Sequence, residues 1–276
     1  MGQEYRFEVL AWNLARVSEL YRFHHEGVHG AGWGIKGHNH PWIVVHGDWE
    51  PGMRFIDVGA GYSDLPAYLI DSFDMEGWVA DDFGASTGEE LWSRWGDPFE
   101  LKDKYPKVRY VFHNLGLPSS SLPEGSFDRL YSVSVLEHIP LGQIVAVLNH
   151  MGRLLKPGGS MLHTVDIPYP RTIDRPGLRG VAAMIARLLA RRVLIALRAP
   201  GNFPYIHSVE GWATLLRDNF RIEGVMRGIS SVQMILDHDI LVEPPEVVYR
   251  FYPPNDAPKT YWPAASLTFI LRKISE

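Results

Sequence analysis

The sequence predicts an α/β fold built on a doubly wound, mostly parallel sheet, and three observations carry the prediction. Strand-like and helix-like patterns alternate from residue 54 to residue 165, the arrangement of parallel strands joined by helical crossovers. The first of those strands, in "MRFIDVGAGYSD" (53–64), runs straight into a glycine turn, where a backbone can come close to a ligand. The chain has 276 residues, 46% hydrophobic and 21% charged, enough apolar material to bury a sizeable core.

Taken in order, residues 4–23 place Leu10, Leu14, Val17 and Tyr21 at spacings of three and four, which predicts an amphipathic helix. "HHEGVHGAGWGIKGHNHPW" (24–42) is rich in Gly and His without a period, and reads as a loop. Strands are predicted at 54–58, 77–81, 108–112, 128–133 and 160–165, with helices at 65–73 and 141–155. The pattern breaks at "YPRTIDRPGLRG" (169–180), which is turn-rich. A mostly apolar helix, "VAAMIARLLARRVLIALR" (181–198), follows, with Arg187, Arg191 and Arg198 on one face. Its arginines rule out a transmembrane span of ~20 apolar residues. A lid, a peripheral membrane contact, or a packed helix with a basic solvent stripe stays open. "SVEGWATLLRDNF" (208–220) reads as a helix, and "RIEGVMRG" and "AASLTFILRK" as strands that would pair as an antiparallel hairpin closing the sheet. The expected organisation is a single domain, 1–276, with an N-terminal helix and loop cap (1–50), a cofactor-binding core (51–168), an insertion or lid (169–206) and a C-terminal part completing the sheet (207–276).

A net charge of −5 argues against nucleic acid as a partner, since a phosphate-binding surface shows as a basic excess. The chain has no cysteine, which excludes a disulfide framework, a thiol nucleophile and a thiolate metal site, and fits a cytoplasmic location. "MGQEYRFEVL" lacks the basic and apolar regions of a signal peptide, and Arg6 stands where myristoylation needs a small hydroxylated residue. Six of the twelve histidines fall between His24 and His46. His25 and His29 have the i, i+4 spacing that suits one metal, but Gly27 lies between them and no carboxylate pair completes a site, so no metal is expected. Trp33, Trp42, Trp49, Tyr252, Tyr261 and Trp262 read mainly as packing, with stacking on a sugar or aromatic acceptor as the alternative.

Glycines at 59 and 61 leave bare backbone after the first strand. A dinucleotide site would want G-x-G-x-x-G, but Asp64 occupies the place of the third glycine, where a carboxylate competes with a phosphate for the same amides. A phosphate-free, positively charged ligand suits the turn better, and S-adenosylmethionine has a sulfonium, an ammonium and a ribose diol. Asp57 would face the ammonium. About twenty residues past the turn, Asp81 and Asp82 supply an acid able to accept both ribose hydroxyls, with Asp81 favoured.

The pieces "FIDVGAGYSD", "WVADDFG", "VRYVFHNLGLPSSSLPEGSFDRLYSVSVLEHIP" and "LLKPGGSMLHTVDIP", with a weaker echo in "FPYIHSVEGWATLLRDNF", come in the order of one family. Over about residues 53–168 the chain resembles the class I S-adenosylmethionine-dependent methyltransferases of the small-molecule type (methyltransferase domain 11-like). The resemblance implies a Rossmann-like fold with a seven-stranded sheet. It implies that Gly59, Ala60 and Gly61 contact the methionine and ribose parts, that Asp81, with Asp82 beside it, takes the ribose, that His113 and Asn114 lie by the adenine, and that Ser132 and Val133 line the methionyl side. Two positions depart from the family: Asn114, where an acid is commoner, and Ser63, where a third glycine is usual. Lys156-Pro157-Gly158-Gly159 looks like a helix end and turn into the next strand.

The sulfonium already activates the methyl group, so such a protein aligns the reactants and excludes water. A hydroxyl acceptor needs a general base within about 3 Å, and the candidates are His138, Asp166 and His207. His138 also reads as a hydrogen-bonded helix-start residue. Alternation puts His163 and Val165 on one strand face, with Asp166 at the exit toward the cleft. The expected reaction is in-line O-methylation of a small-molecule or saccharide acceptor, releasing S-adenosylhomocysteine. A protein or lipid acceptor, a non-catalytic S-adenosylmethionine-binding protein of the same fold, and a dinucleotide oxidoreductase, disfavoured by Asp64, are the alternatives. Oligomeric state is not legible.

Overall fold

The computed structural model describes residues 5–32, 34–83, 96–113, 116, 121–168, 208–243 and 264–274. The insertion 169–206 with its helix 181–198, together with Asn114, His207, Trp33, Tyr252, Tyr261 and Trp262, lies outside the described residues.

The chain order is β1 (Arg6–Leu14), α1 (Val17–Glu26), α2 (Ile35–His46), β2 (Arg54–Val58), α3 (Leu65–Phe73), β3 (Glu76–Asp81), a 3-10 turn (Pro98–Glu100) leading into α4 (Leu101–Lys104), and β4 (Arg109–Phe112). It continues with β5 (Phe127–Val133), a 3-10 turn (Leu136–His138), α5 (Leu141–Leu154), β6 (Leu155–Pro168), α6 (Val209–Asn219), β7 (Arg221–Glu223), α7 (Ser231–Leu236), β8 (Val242–Glu243) and β9 (Ala264–Lys273). Among the described residues the strands form one nine-stranded sheet in the order β4-β3-β2-β5-β6-β9-β1-β7, with β8 on β9. From β4 to β6 every pair is parallel, and the order reverses between β2 and β5. That reversal is where ligands enter sheets of this kind, beyond the carboxyl ends of the strands.

Both faces of the sheet are covered, which is why the central strands read as nearly continuous apolar runs. Ile56, Leu130 and Met161 point to the layer that holds α5 and α6, packing with Leu148, Met151 and Trp212. Phe55, Tyr131 and Leu162 point to the other layer, where α2 and α3 contribute Trp42, Ile43, Leu65 and Leu69. Asp57, two residues past Phe55, therefore faces the α2–α3 side.

Three expectations are corrected. Residues 4–23 are not one helix: β1 comes first and α1 follows. A bulge between Val9 and Ala11 inserts Leu10 outward, 45% exposed, and Tyr21 on α1 is 58% exposed, so the spacing of three and four came from a bulged strand running into a helix. The segment 24–42 is not a plain loop, since α1 extends to Glu26 and α2 starts at Ile35. The closing hairpin does not form: β7 pairs in parallel with β1, while β9 runs antiparallel to β6 and to β1. Among the described residues the sheet has nine strands, where the resemblance implied seven. The four residues Lys156-Pro157-Gly158-Gly159 loop out of the β5–β6 register, Phe127 pairing Leu155 and Arg129 pairing Ser160, in keeping with a turn. Among the described residues no helix is long and apolar enough to cross a membrane.

Candidate active site

The glycine turn sits at the end of β2. Gly59 and Gly61 have φ of 74° and 55°, the left-handed region that glycine enters without a Cβ clash. The Gly59 N–H donates to the Ala80 carbonyl at 2.9 Å, and the Gly61 N–H donates to the Asp81 carboxylate at 2.7 Å. The other Asp81 oxygen accepts from the Phe83 N–H, also at 2.7 Å. Each oxygen keeps a lone pair for a ligand hydroxyl. Burial pushes the Asp81 carboxyl up, partly offset by those two N–H groups.

Asp57 is buried beside it, and burial holds its carboxyl well above the usual range. The Tyr131 hydroxyl, aligned in the β2–β5 register, works the other way without making a hydrogen bond of ordinary geometry, and the Asp81 charge adds to the rise. Two buried acids that repel each other are the electrostatic complement of a cation. Asp64 precedes α3 without capping it, and its carboxylate lies 3.5 Å from His29 Nε2. The His29 ring stacks on Tyr68 at 3.9 Å, so the α1–α2 connection lies over the start of α3. Nearby His40 is pushed down to about 4, chiefly by burial and then by Lys36.

Of the other expected cofactor residues, Asp82 is half-buried beside Phe83, whose φ is 51°. The His113 N–H donates to the Asp81 carbonyl at 3.1 Å, which holds it next to the same strand end. Phe83, Phe112 and Phe99 pack in series, with ring separations of 5.6 and 4.5 Å. Val133 is half-buried at the end of β5. Ser132 is turned into the core: its Oγ lies 2.8 Å from His163 Nδ1, and both residues are fully buried. Burial pushes His163 down to about 3, so the imidazole is neutral.

The three proposed bases separate. Asp166 lies in a polar cluster at the ends of β5 and β6. Ser134, held at φ 52°, donates its hydroxyl to Asp166 Oδ1 at 3.0 Å, and Asn39 of α2 donates to Ser134 Oγ at 3.4 Å. The Asp166 N–H donates to Glu137 Oε1 at 3.2 Å. The Glu137 side chain is only 9% exposed, and its second oxygen is buried with no hydrogen-bond partner. Burial, then the Asp166 charge, hold the Glu137 carboxyl well above its ordinary value, against a smaller opposing effect of Lys36. His138 is 75% exposed at the rim, its Nε2 3.9 Å from Glu137. His207 lies outside the described residues. Glu137, Ser134 and Asn39 were not among the sequence candidates. Glu137 stood beside His138 in the strand-end motif, whereas Asn39 fell in the stretch read as a loop. Among the described residues no three His, Asp or Glu side chains converge as metal ligands.

A parallel sheet with its order reversed at a glycine turn, and an acid clamping that turn from the neighbouring strand, is the place where open α/β sheets take their ligands. Residues 97–163 match the family described as Methyltransferase domain, and the fold is shared with solved methyltransferase structures. A structure from Galdieria sulphuraria, assigned as a sarcosine dimethylglycine methyltransferase, has the same fold, with a TM-score of 0.51 at 14% identity over 93% of this chain and 98% of that one. A phosphoethanolamine N-methyltransferase 2 of Haemonchus contortus aligns with a TM-score of 0.47 at 14% identity, covering 94% of this chain and 57% of that one. A geranyl diphosphate C-methyltransferase of Streptomyces coelicolor gives 0.46 at 12%, covering 94% and 83%. No curated protein sequence matches the chain.

Proposed function

We propose that the chain methylates a hydroxyl of a small-molecule or saccharide acceptor, with Asp166 as general base. The observation that carries this reading is the juxtaposition of a cation-complementary turn (Asp57, Gly59, Gly61, Asp81) with a paired-carboxyl cluster (Asp166, Glu137) at adjoining strand ends. The residues fit S-adenosylmethionine: at Gly59 a Cβ would stand 2.6 Å from Val135, so the bare backbone is required there, and Asp57 and Asp81 gain from a positive charge. When bound, it supplies a methyl group on a sulfonium.

In this reading Asp57 faces the ammonium, Gly59, Ala60 and Gly61 border the methionine and ribose, Asp81 with Asp82 accepts the ribose hydroxyls, and His113 and Val133 line the remainder. Ser132 is left out, because its hydroxyl is committed to His163. Asp166 takes the proton of the acceptor hydroxyl as the oxygen–carbon bond forms. Glu137 holds its own proton and so keeps the pair from carrying two adjacent charges. Ser134 aims the Asp166 oxygen.

Calorimetry with S-adenosylhomocysteine and with NAD tests the binding half; the former should bind and the latter should not, and the reverse pattern ends the proposal. Turnover with hydroxylated acceptors, followed by release of S-adenosylhomocysteine, tests the rest. Transfer undiminished in Asp166→Asn removes Asp166 from the role of base.

A further inference from the structure

Two neighbouring residues of α2 point to different places. Successive helical positions diverge by about 100°, and here His38 reaches back to α1 while Asn39 reaches the ends of β5 and β6. Both are fully buried. His38 Nε2 lies 2.7 Å from Glu19 Oε2, and its Nδ1 lies 3.4 Å from Asn39 Oδ1. The Asn39 amide nitrogen lies 3.4 Å from Ser134 Oγ, whose hydroxyl is 3.0 Å from Asp166 Oδ1.

We infer that His38 and Asn39 are positioning residues for Asp166: a directed hydrogen-bond chain from Glu19 through His38, Asn39 and Ser134 orients the carboxylate that serves as base. The inference rests on the reading of Asp166 given above. Its direction follows from the donor inventory. Ser134 has one hydrogen and gives it to Asp166, so it must accept from the Asn39 NH2. Asn39 therefore turns its carbonyl oxygen to His38 Nδ1, which must donate. Glu19 is also an acceptor, so both ring nitrogens of His38 carry hydrogen, and the ring is an imidazolium paired with a carboxylate.

The surroundings fit a charged pair. Burial works to raise the Glu19 carboxyl, yet the hydrogen bond and charge of His38, with His46 and Arg22, hold it below its ordinary value. His46 and Arg22 approach Glu19 at 3.8 and 3.5 Å, and the Phe23 ring lies 5.4 Å from the His38 ring. At the far end Asp166 faces Ser134 and Glu137, with Lys36 acting on Glu137. Glu19 borders a cavity of about 500 Å³ with Arg22, His46, Asn13 and Thr268, so the chain runs from a recess between α1 and β1 to the strand ends. An amide cannot pass a proton along readily, so the chain aims the base without refilling it.

The test is nitrogen-15 spectroscopy of the histidine rings in the full chain at neutral pH. The wild type should show His38 with hydrogen on both ring nitrogens. Ser134→Gly deletes the hydroxyl at a φ of 52° that glycine adopts without strain, and frees Asn39 to rotate its NH2 toward His38. The Nδ1–H signal should then fall by more than half, while S-adenosylhomocysteine affinity stays within twofold by calorimetry. One ring hydrogen on wild-type His38, or a His38 signature unmoved by Ser134→Gly, overturns the chain. Should Ser134→Gly not fold, the wild-type spectrum and Asn39→Ala, which removes the Nδ1 acceptor and should weaken the same signal, decide it. Failure of the wild type to bind S-adenosylhomocysteine would sink the methyltransferase reading and leave the spectroscopic result standing by itself.

Discussion

The carboxylate of Asp81 holds the backbone N–H of Gly61 at 2.7 Å, closing a bridge across twenty residues of chain between the end of β3 and the turn after β2. The acid expected to read the ribose is therefore also the clamp that shapes the turn. Asp81→Ala removes both functions, and S-adenosylhomocysteine affinity should drop at least tenfold by calorimetry. Asp81→Asn has one oxygen for the two N–H groups of Gly61 and Phe83, so it should leave the other N–H unpaired and weaken binding as well. Unchanged affinity in both variants would remove Asp81 from the site.

Gly59 has two independent reasons to be glycine. Its φ of 74° strains any L side chain, and an added Cβ would meet the Val135 side chain at 2.6 and 2.7 Å. Gly59→Ala should cost about 2–5 kcal/mol, the sum of an overpacking term of about 1–3 and a left-handed backbone term of about 1–2 kcal/mol. Adding Val135→Ala should recover the steric part and leave the backbone part. Thermal unfolding of the single and double variants separates the two.

The alternation of strand and helix made the core legible because each central strand is short, apolar and followed by its own crossover; β2 and α3 start and stop where their patterns do. Asp57, Asp81 and Asp166 could be placed because they stand at the ends of such strands. The N-terminal region was not legible for local reasons. The bulge at Leu10 breaks the alternation of β1, and α2 contains Gly37 and Pro41, which local propensity assigns to a loop. Packing overrides that preference, since a Cβ at Gly37 would lie 2.1 Å from the Gly32 carbonyl oxygen, so glycine lets the segment before α2 fold against it. Asn39 was hidden with α2. The partnership of β7 with β1 spans more than two hundred residues, and no local pattern encodes it.

Glu137 should make the protein less stable as pH rises. Its folded carboxyl binds a proton more tightly than the ordinary value of 4.5, because of burial and then Asp166. The folded state thus holds more protons than the unfolded one above pH 4.5, and stability falls by about 1.4 kcal/mol per pH unit until the folded group titrates. Glu137→Gln imitates the protonated form and should flatten that part of the profile in urea unfolding between pH 5 and 8. Asp57, raised in the same sense, leaves a residual slope. A Glu137→Gln profile parallel to the wild type would mean that Glu137 is charged in the fold.

His163 acts in the opposite direction. Burial lowers it from 6.5 to about 3, so the folded protein keeps the ring neutral while the unfolded chain protonates it below pH 6.5. Its contribution is intact above pH 6.5 and is lost as pH falls toward 3, at about 1.4 kcal/mol per pH unit. His40, pushed down to about 4, adds the same sign. Removing the ring alone would leave the buried Ser132 hydroxyl without its partner, so the clean comparison is Ser132→Ala with His163→Phe, which deletes both ends of the 2.8 Å hydrogen bond. Phe269, whose ring centroid is 5.0 Å from that of His163, offers an aromatic neighbour for the new side chain. Between pH 6.5 and 4.5 the double variant should lose stability more slowly than the wild type by about 1.4 kcal/mol per pH unit, with the His40 share of the slope remaining. An acid limb as steep as the wild type's would show that the core imidazole takes up a proton without unfolding the protein.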